Sequence, residues 1–103
     1  MKVFLDDTRP APAGWKLARW PQEVIGLLMT GAVTDVSLDH DLGDDKRGTG
    51  YDVITWLEKA VVEYGLVPPV INVHSANMPA KKRMERGIKS INHLYQFRSR
   101  YHS

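Results

Sequence analysis

Short apolar segments alternate with segments of helical spacing along this chain, and no other feature constrains its fold as much. Four segments are typical of short strands, namely KVFL at 2–5, KLARW at 16–20, TDVSL at 34–38 and VINVHS at 70–75. Three further segments space their apolar residues as a helix does, at 21–31, 51–65 and 78–94. Strands that alternate with helices in this way predict a parallel sheet in an α/β fold.

The composition supports a single globular domain over residues 1–103. Of the 103 residues, 43% are hydrophobic and 25% are charged, and the chain contains neither a linker-like segment nor a repeat. No apolar run is long enough for a membrane span, and the N-terminus lacks the pattern of a signal peptide. The absence of cysteine excludes disulfides and thiolate metal sites. We therefore expect a cytoplasmic protein with no membrane partner.

Polar side chains follow three of the predicted strands, where each strand ends. In chain order they are Asp6, Asp7, Asp39, His40, Asp41, His74, Ser75 and Asn77. Ligands of an open parallel sheet bind outside the carboxyl ends of its strands, so these side chains are expected to share one rim. The sequence thus predicts a site with a surplus of carboxylates.

Clustered carboxylates either share a proton or bind a cation, because like charges at close range cannot all ionise. Carboxylate oxygens favour a hard ion, so we expect Mg²⁺ or Mn²⁺ on Asp6, Asp7 and Asp39. Imidazoles at His40 and His74 leave manganese or zinc open. The alternative for the acidic pair is a turn in which the carboxylates only cap backbone groups.

Several residues are candidates for chemistry beside such an ion. Asp39 is a candidate ligand or nucleophile, because a carboxylate can attack phosphorus as well as coordinate a metal. His40 and Asp41 are candidates for general acid and base. His74 suits the same role, or that of a core histidine with a hydrogen-bond partner.

Three other residues are candidates for binding phosphate. The planar guanidinium of Arg9 matches phosphate oxygens. Ser75 and Asn77 would orient a phosphate, although Asn77 also suits the cap of the following helix.

Charge is distributed unevenly along the chain, whose net charge is +2. Residues 1–52 hold nine acids and six Lys or Arg, and residues 53–103 hold three acids and eight Lys or Arg. This basic half is either a solvated helix face or a surface for a phosphate-bearing ligand.

The ordered motifs FLDD, SLDHDLG, GTGYDV and HSAN together resemble a response-regulator receiver domain. The set DDTRPAP, GW, SLDHDLG, GTGYDV and VHSAN is more closely similar to the cyclic-phosphate processing receiver-like family, over about residues 3–92. The receiver resemblance implies that Asp6, Asp7 and Asp39 form a magnesium-binding acidic pocket, that Asp39 accepts phosphate and that Ser75 contacts it. The closer resemblance implies action on cyclic phosphates.

Two departures from a receiver change the expected architecture. Only eight residues, Thr8 to Trp15, separate Asp7 from the second strand, too few for the first receiver helix. After Leu94, LYQFR is long enough for a short last strand but leaves no room for a final helix. The lysine that senses phosphorylation in receivers is also missing, and its nearest substitutes are Arg98 and Arg100.

The predicted fold is therefore a receiver or flavodoxin-like, doubly wound parallel sheet, three-layered or partly open, with the first and last receiver helices absent or reduced. One sheet face would then need other cover. We expect Trp15, the proline loop and the aromatic tail, or a second copy of the chain in a homodimer, to supply it.

The function predicted from these features is metal-dependent hydrolysis of a cyclic phosphate, in a cyclic nucleotide or at the 2′,3′-cyclic phosphate end of an RNA. One alternative is a receiver-like signalling module with Asp39 as phosphoacceptor. Another is a module that binds a nucleotide or nucleic acid without turnover, on the face formed by Lys81, Lys82, Arg83 and Arg86.

Overall fold

A computed structural model of the chain describes residues 1–102, with side chains described for residues 1–99. The strands are β1 (Lys2–Leu5), β2 (Trp15–Ala18), β3 (Asp35–Leu38) and β4 (Val70–Val73), and the helices are α1 (Pro21–Leu28), α2 (Gly50–Tyr64) and α3 (Met78–His102), with a 3-10 turn at Asp45–Arg47. Within this part of the chain, no helix combines the length and the apolar character that a membrane crossing requires. The predicted alternation of strands and helices is confirmed.

All four strands are parallel, and their order across the sheet is β2-β1-β3-β4. Leu5 of β1 pairs with Leu38 of β3, which pairs with Val73 of β4. Because side chains alternate along a strand, these residues face one side of the sheet. Leu5 and Leu38 belong to a single core that also contains Val24, Leu57 and Met84, one residue from each helix. The three helices therefore cover the same face.

The opposite sheet face, which we call the open face, carries no helix among the described residues. Phe4 is nevertheless only 9% exposed. Its ring stacks on His74, with centroids 4.2 Å apart, and Trp15 meets it edge-on at 6.4 Å. The sheet is thus partly open, as the missing receiver helices predict, and Trp15 supplies part of the expected cover.

A second copy of the chain against the open face stays a prediction. The edge strand β4 leaves Val70 60% exposed on this face, so a partner would find apolar surface there. A homodimer would give twice the chain mass of 11.7 kDa by light scattering. The mass of a single chain would exclude a second copy as the cover of the open face.

The prediction that LYQFR forms a last strand is wrong, because these residues lie within α3. No glycine or proline follows Gly87, and Leu94 and Tyr95 continue the apolar spacing of Ile91. Since Leu94 and Tyr95 pack against the core beneath the helices, the expectation that the aromatic tail covers the open face also fails for Tyr95.

The longer helix moves Arg98 away from the strand ends. Its guanidinium lies 2.8 Å from the position that a Cβ would take at Gly65, the residue that ends α2. The other end of α2 lies at Asp39, so Arg98 does not substitute for a sensing lysine at the acidic site. The side chain of Arg100 lies outside the described residues.

Candidate active site

The site is built from the residues that directly follow β1, β3 and β4. Backbone hydrogen bonds extend the sheet by one residue, because the N–H of Asp39 donates to Leu5 and that of His74 donates to Leu38. The strand register therefore places Asp6, Asp39 and His74 side by side in one row. Since side chains alternate, this row lies on the open face of the sheet, one step beyond the inward-facing leucines.

Asp6 is fully buried and its carboxylate is closely held. Oδ1 accepts the backbone N–H groups of Thr8 and Arg9, each at 2.9 Å, and Oδ2 accepts from Nε2 of His74 at 3.1 Å. Burial acts to raise the pKa of Asp6, but these hydrogen bonds outweigh it and leave the pKa below its usual value. Asp6 is thus held as an anion.

Arg9, predicted to clamp a phosphate, lies beside this carboxylate. Its Nε is 4.0 Å from Oδ2 of Asp6, and its side chain is 60% exposed. The guanidinium thus remains accessible to an anionic ligand at the rim.

His74 bridges two strands through both ring nitrogens. Nε2 meets Asp6, and Nδ1 lies 2.7 Å from Oγ of Ser37 on β3. With Asp6 ionised, Nε2–H donates to the carboxylate and Nδ1 accepts the Ser37 hydroxyl proton. In the other tautomer Nδ1–H donates to the serine hydroxyl, and the Nε2 lone pair then faces the Asp6 carboxylate, which is favourable only when a cation lies between them.

Ser37 is the residue that the sequence did not place in the site. A polar side chain within a short strand indicates by itself only that this face of the sheet is partly wet. The signal that would have found it is its spacing from Asp39, because residues two apart on a strand share a face.

Asp39 lies between Asp6 and His74, and its pKa is raised. Burial is the largest cause, and the negative charge of Asp6 adds to it. The backbone N–H of His40 donates to Oδ1 at 2.8 Å and acts in the opposite direction. Two carboxylates in one row, both of them desolvated by burial, give the site an unbalanced negative charge.

This row satisfies the geometry of a cation site. One ligand atom from each of Asp6, Asp39 and His74 lies within 4.8 Å of the other two. The predicted ligand Asp7 is not in this group, and its Oδ2 lies near Gly43, 3.3 Å from where a Cβ would stand there. Two carboxylates and an imidazole form a donor set that fits a divalent transition metal.

A second network forms the rim of the site. Nδ1 of His40 lies 2.8 Å from Oδ1 of Asp41, and the side-chain amide of Asn77 donates to Oδ2 of Asp41 at 3.4 Å. The hydrogen bond from His40 is the main cause that lowers the pKa of Asp41. Asp41 is thus an anion that orients the imidazole of His40.

Ser75 and Asn77, the other predicted phosphate-binding residues, both have local structural partners. Oδ1 of Asn77 accepts the N–H of Ala80 and caps α3, and the buried Oγ of Ser75 accepts the N–H of Asn77. Ser75 keeps its hydroxyl proton for donation, and the amide group of Asn77 reaches Asp41.

Gly50 sets the distance between α2 and the row of Asp6, Asp39 and His74, which we call the acidic row. It begins α2 after the cap Thr49, and its N–H donates to the carbonyl of His40. A Cβ at this position would overlap the carbonyl oxygen of Asp39. The GTG sequence therefore allows the helix N-terminus to lie directly against the strand end.

The sheet order β2-β1-β3-β4, with an acidic row where β1 and β3 diverge to opposite neighbours, defines a receiver-like α/β domain. The family model for the cyclic-phosphate processing Receiver domain matches residues 1–90, and the chain belongs to that family. No curated protein and no solved structure matches the chain. The domain is thereby linked to cyclic-phosphate processing.

Proposed function

We propose that this domain is a metal-dependent phosphoesterase that opens a cyclic phosphate by hydrolysis. The observation that carries the proposal is the convergence of Asp6, Asp39 and His74 within 4.8 Å, next to the pair of His40 and Asp41. Carboxylates that only terminate strands have no need to converge on a histidine. Metal-dependent release of a phosphomonoester from a cyclic phosphodiester tests it.

The donor set favours Mn²⁺ over Mg²⁺, because an imidazole joins the carboxylates and magnesium prefers oxygen. A divalent cation bound there supplies positive charge that polarises a phosphoryl oxygen and acidifies water. Asp6 and Asp39 hold it as anions, and His74 adds a neutral nitrogen. Asp7 lies outside the group of Asp6, Asp39 and His74, but it stays a candidate ligand because its charge is near enough to help raise the pKa of Asp39.

The rim residues suit the proton transfer that ring opening requires. When a cyclic phosphate opens, the departing alkoxide must take up a proton. His40, whose Nδ1–H donates to Asp41, would supply this proton from Nε2–H in its doubly protonated form. Arg9 binds the non-bridging oxygens, and Ser75 has a hydroxyl proton to offer them.

The His40→Gln variant is expected to lower kcat for a cyclic nucleotide by roughly 10²- to 10⁴-fold, the usual contribution of general acid–base catalysis. The kcat for bis-p-nitrophenyl phosphate should fall far less, because its leaving group departs without a proton. Steady-state kinetics on both substrates measure the difference. Equal losses would contradict the role of His40 as acid.

The Ser37→Ala variant is expected to weaken Mn²⁺ binding by about 10- to 100-fold, the usual cost of removing a partner that orients a ligand. The reason is that Nδ1 of His74 loses the hydroxyl that fixes its ring. Ser37→Thr keeps the hydroxyl and should restore the affinity. Calorimetric titration with Mn²⁺ measures this affinity. Thr55→Ala, which deletes a hydroxyl on α2, is the control and should bind Mn²⁺ as wild type does. Identical affinities for Ser37→Ala and wild type would refute the prediction.

The signalling alternative has weaker support. Asp39 does follow a central strand, but Arg98 lies at the far end of α2. Acetyl phosphate that labels wild type and not Asp39→Asn, without turnover of any cyclic phosphate, would favour it.

A further inference from the structure

The N-terminal half of α3 carries an unusual concentration of positive charge. Its cations are Lys81, Lys82, Arg83, Arg86 and Lys89, and Glu85 is the acid among them. Among the described side chains, the ion pairs involve Asp6 and Asp41, and none involves these cations. A basic helix face that only solvates the surface would usually alternate with acids.

Three of these cations lie along one ridge of the helix. Lys82, Arg86 and Lys89 follow the i, i+4, i+7 spacing that aligns side chains on a helix. Together they span about 10 Å at 1.5 Å per residue. A shallow surface groove runs along the start of the ridge, lined by Met78, Pro79, Lys82, Arg83 and Arg86. We call this surface the α3 groove.

The α3 groove begins at the rim of the acidic site. Asn77, which caps α3, also donates to Asp41, so the first turn of the helix is tied to the rim. Met78 and Pro79, the first residues that line the groove, follow Asn77 directly in the chain. A polynucleotide strand that leaves the site would therefore meet positive charge within its first few nucleotides.

From this geometry we propose that the α3 groove binds the RNA strand leading to a terminal 2′,3′-cyclic phosphate held in the site. The inference rests on the proposed function and narrows its substrate class. A mononucleotide has no second phosphate to place on the ridge, whereas an oligonucleotide does. The strand is RNA because a 2′,3′-cyclic phosphate includes the ribose 2′ oxygen.

A binding measurement tests the groove without depending on turnover. Lys82→Glu/Arg86→Glu reverses two exposed cations, and Lys16→Glu/Lys59→Glu is a matched control on β2 and α2. With a fluorescent hexaribonucleotide, wild-type affinity should fall roughly 20-fold between 50 and 200 mM salt, as expected for three neutralised phosphates. The groove variant should bind at least tenfold more weakly at 50 mM salt, and the control should bind as wild type does.

Kinetics supply the second arm. The ratio of kcat/KM for a hexaribonucleotide with a 2′,3′-cyclic end to that for the cyclic mononucleotide should exceed ten, and should fall at least fivefold in the groove variant. If the protein shows no turnover but binds RNA in a salt-sensitive and groove-dependent way, the proposed function would be refuted and the RNA-binding role of the α3 groove would be supported. RNA binding unchanged in the groove variant, or groove-dependent binding of anionic vesicles but not of RNA, would overturn this inference.

Discussion

The Gly50→Ala variant is expected to lose about 3 kcal/mol or more of its free energy of unfolding, a large share of the 5–15 kcal/mol typical of a small domain. The added Cβ would overlap the Asp39 carbonyl oxygen and lie 2.9 Å from its carbonyl carbon. Both atoms are backbone in a paired strand end and cannot rotate away. Relief requires α2 to move away from β3, which would also displace the acidic row.

Urea unfolding measures this loss, and Gly26→Ala is its matched control. Gly26 lies inside α1, and a Cβ there would meet nothing within 4 Å. Alanine should therefore stabilise the protein by up to about 1 kcal/mol through helix propensity. A Gly50→Ala protein within 0.5 kcal/mol of wild type, a margin typical of surface substitutions, would contradict the close approach.

The Asp39→Asn variant is expected to separate stability from function. Because burial and the charge of Asp6 raise the pKa of Asp39, its ionised form destabilises the folded state at neutral pH. Asparagine removes that charge, so the metal-free variant should be more stable than wild type at pH 7. Turnover should fall by at least about 10³-fold, since losing the proposed metal ligand would forfeit several kcal/mol of transition-state stabilisation.

The sign of the pH dependence follows from the raised pKa. Below pH 3.8, the pKa of this carboxyl in the unfolded chain, Asp39 is protonated in both the folded and the unfolded state and does not change the stability difference between wild type and variant. As pH rises through the folded pKa, the wild type loses stability relative to the variant, so the advantage of asparagine should appear only above about pH 4. Asp6 has the opposite effect, because its pKa is lowered in the folded state. Its ionised form stabilises the fold above pH 3.8, and this stability is lost as the pH falls through the folded pKa.

Urea unfolding at pH 4 and pH 7, with and without Mn²⁺, measures both effects. At about 100 times its dissociation constant, Mn²⁺ should stabilise wild type by about 2.7 kcal/mol and the variant much less. Asp35→Asn, at the other end of β3, is the control and should respond to Mn²⁺ as wild type does. Equal Mn²⁺ stabilisation of Asp39→Asn and wild type would remove Asp39 from the ligand set.

The order of strands and helices was predictable because local signals mark it. Gly65, the last residue of the predicted helical segment 51–65, ends α2 with the positive φ of 67° that favours glycine. The end of α3 was not predictable in the same way. LYQFR has residues suited to either a strand or a helix, and the packing of Leu94 and Tyr95 against the core favours the helix.

The site was only partly predictable from the sequence. The rim could be inferred because every strand of a parallel sheet ends on the same side. The adjacency of Asp6, Asp39 and His74 depends on register, which no local pattern fixes here. The link from Ser37 to His74 depends on register as well, so the sequence left His74 open as a metal ligand, a proton-transfer group or a core histidine.

Hydrolysis assays on the purified protein test the central claim most directly. The substrates are 2′,3′-cyclic, 3′,5′-cyclic and linear phosphodiesters, each with Mn²⁺, Mg²⁺ or EDTA, for wild type and Asp39→Asn. We predict phosphomonoester release by wild type from a cyclic substrate, faster with Mn²⁺ than with Mg²⁺, abolished by EDTA and lost in Asp39→Asn. Absence of release from every cyclic substrate with either metal, or release that persists unchanged in EDTA, would contradict a metal-dependent cyclic phosphoesterase.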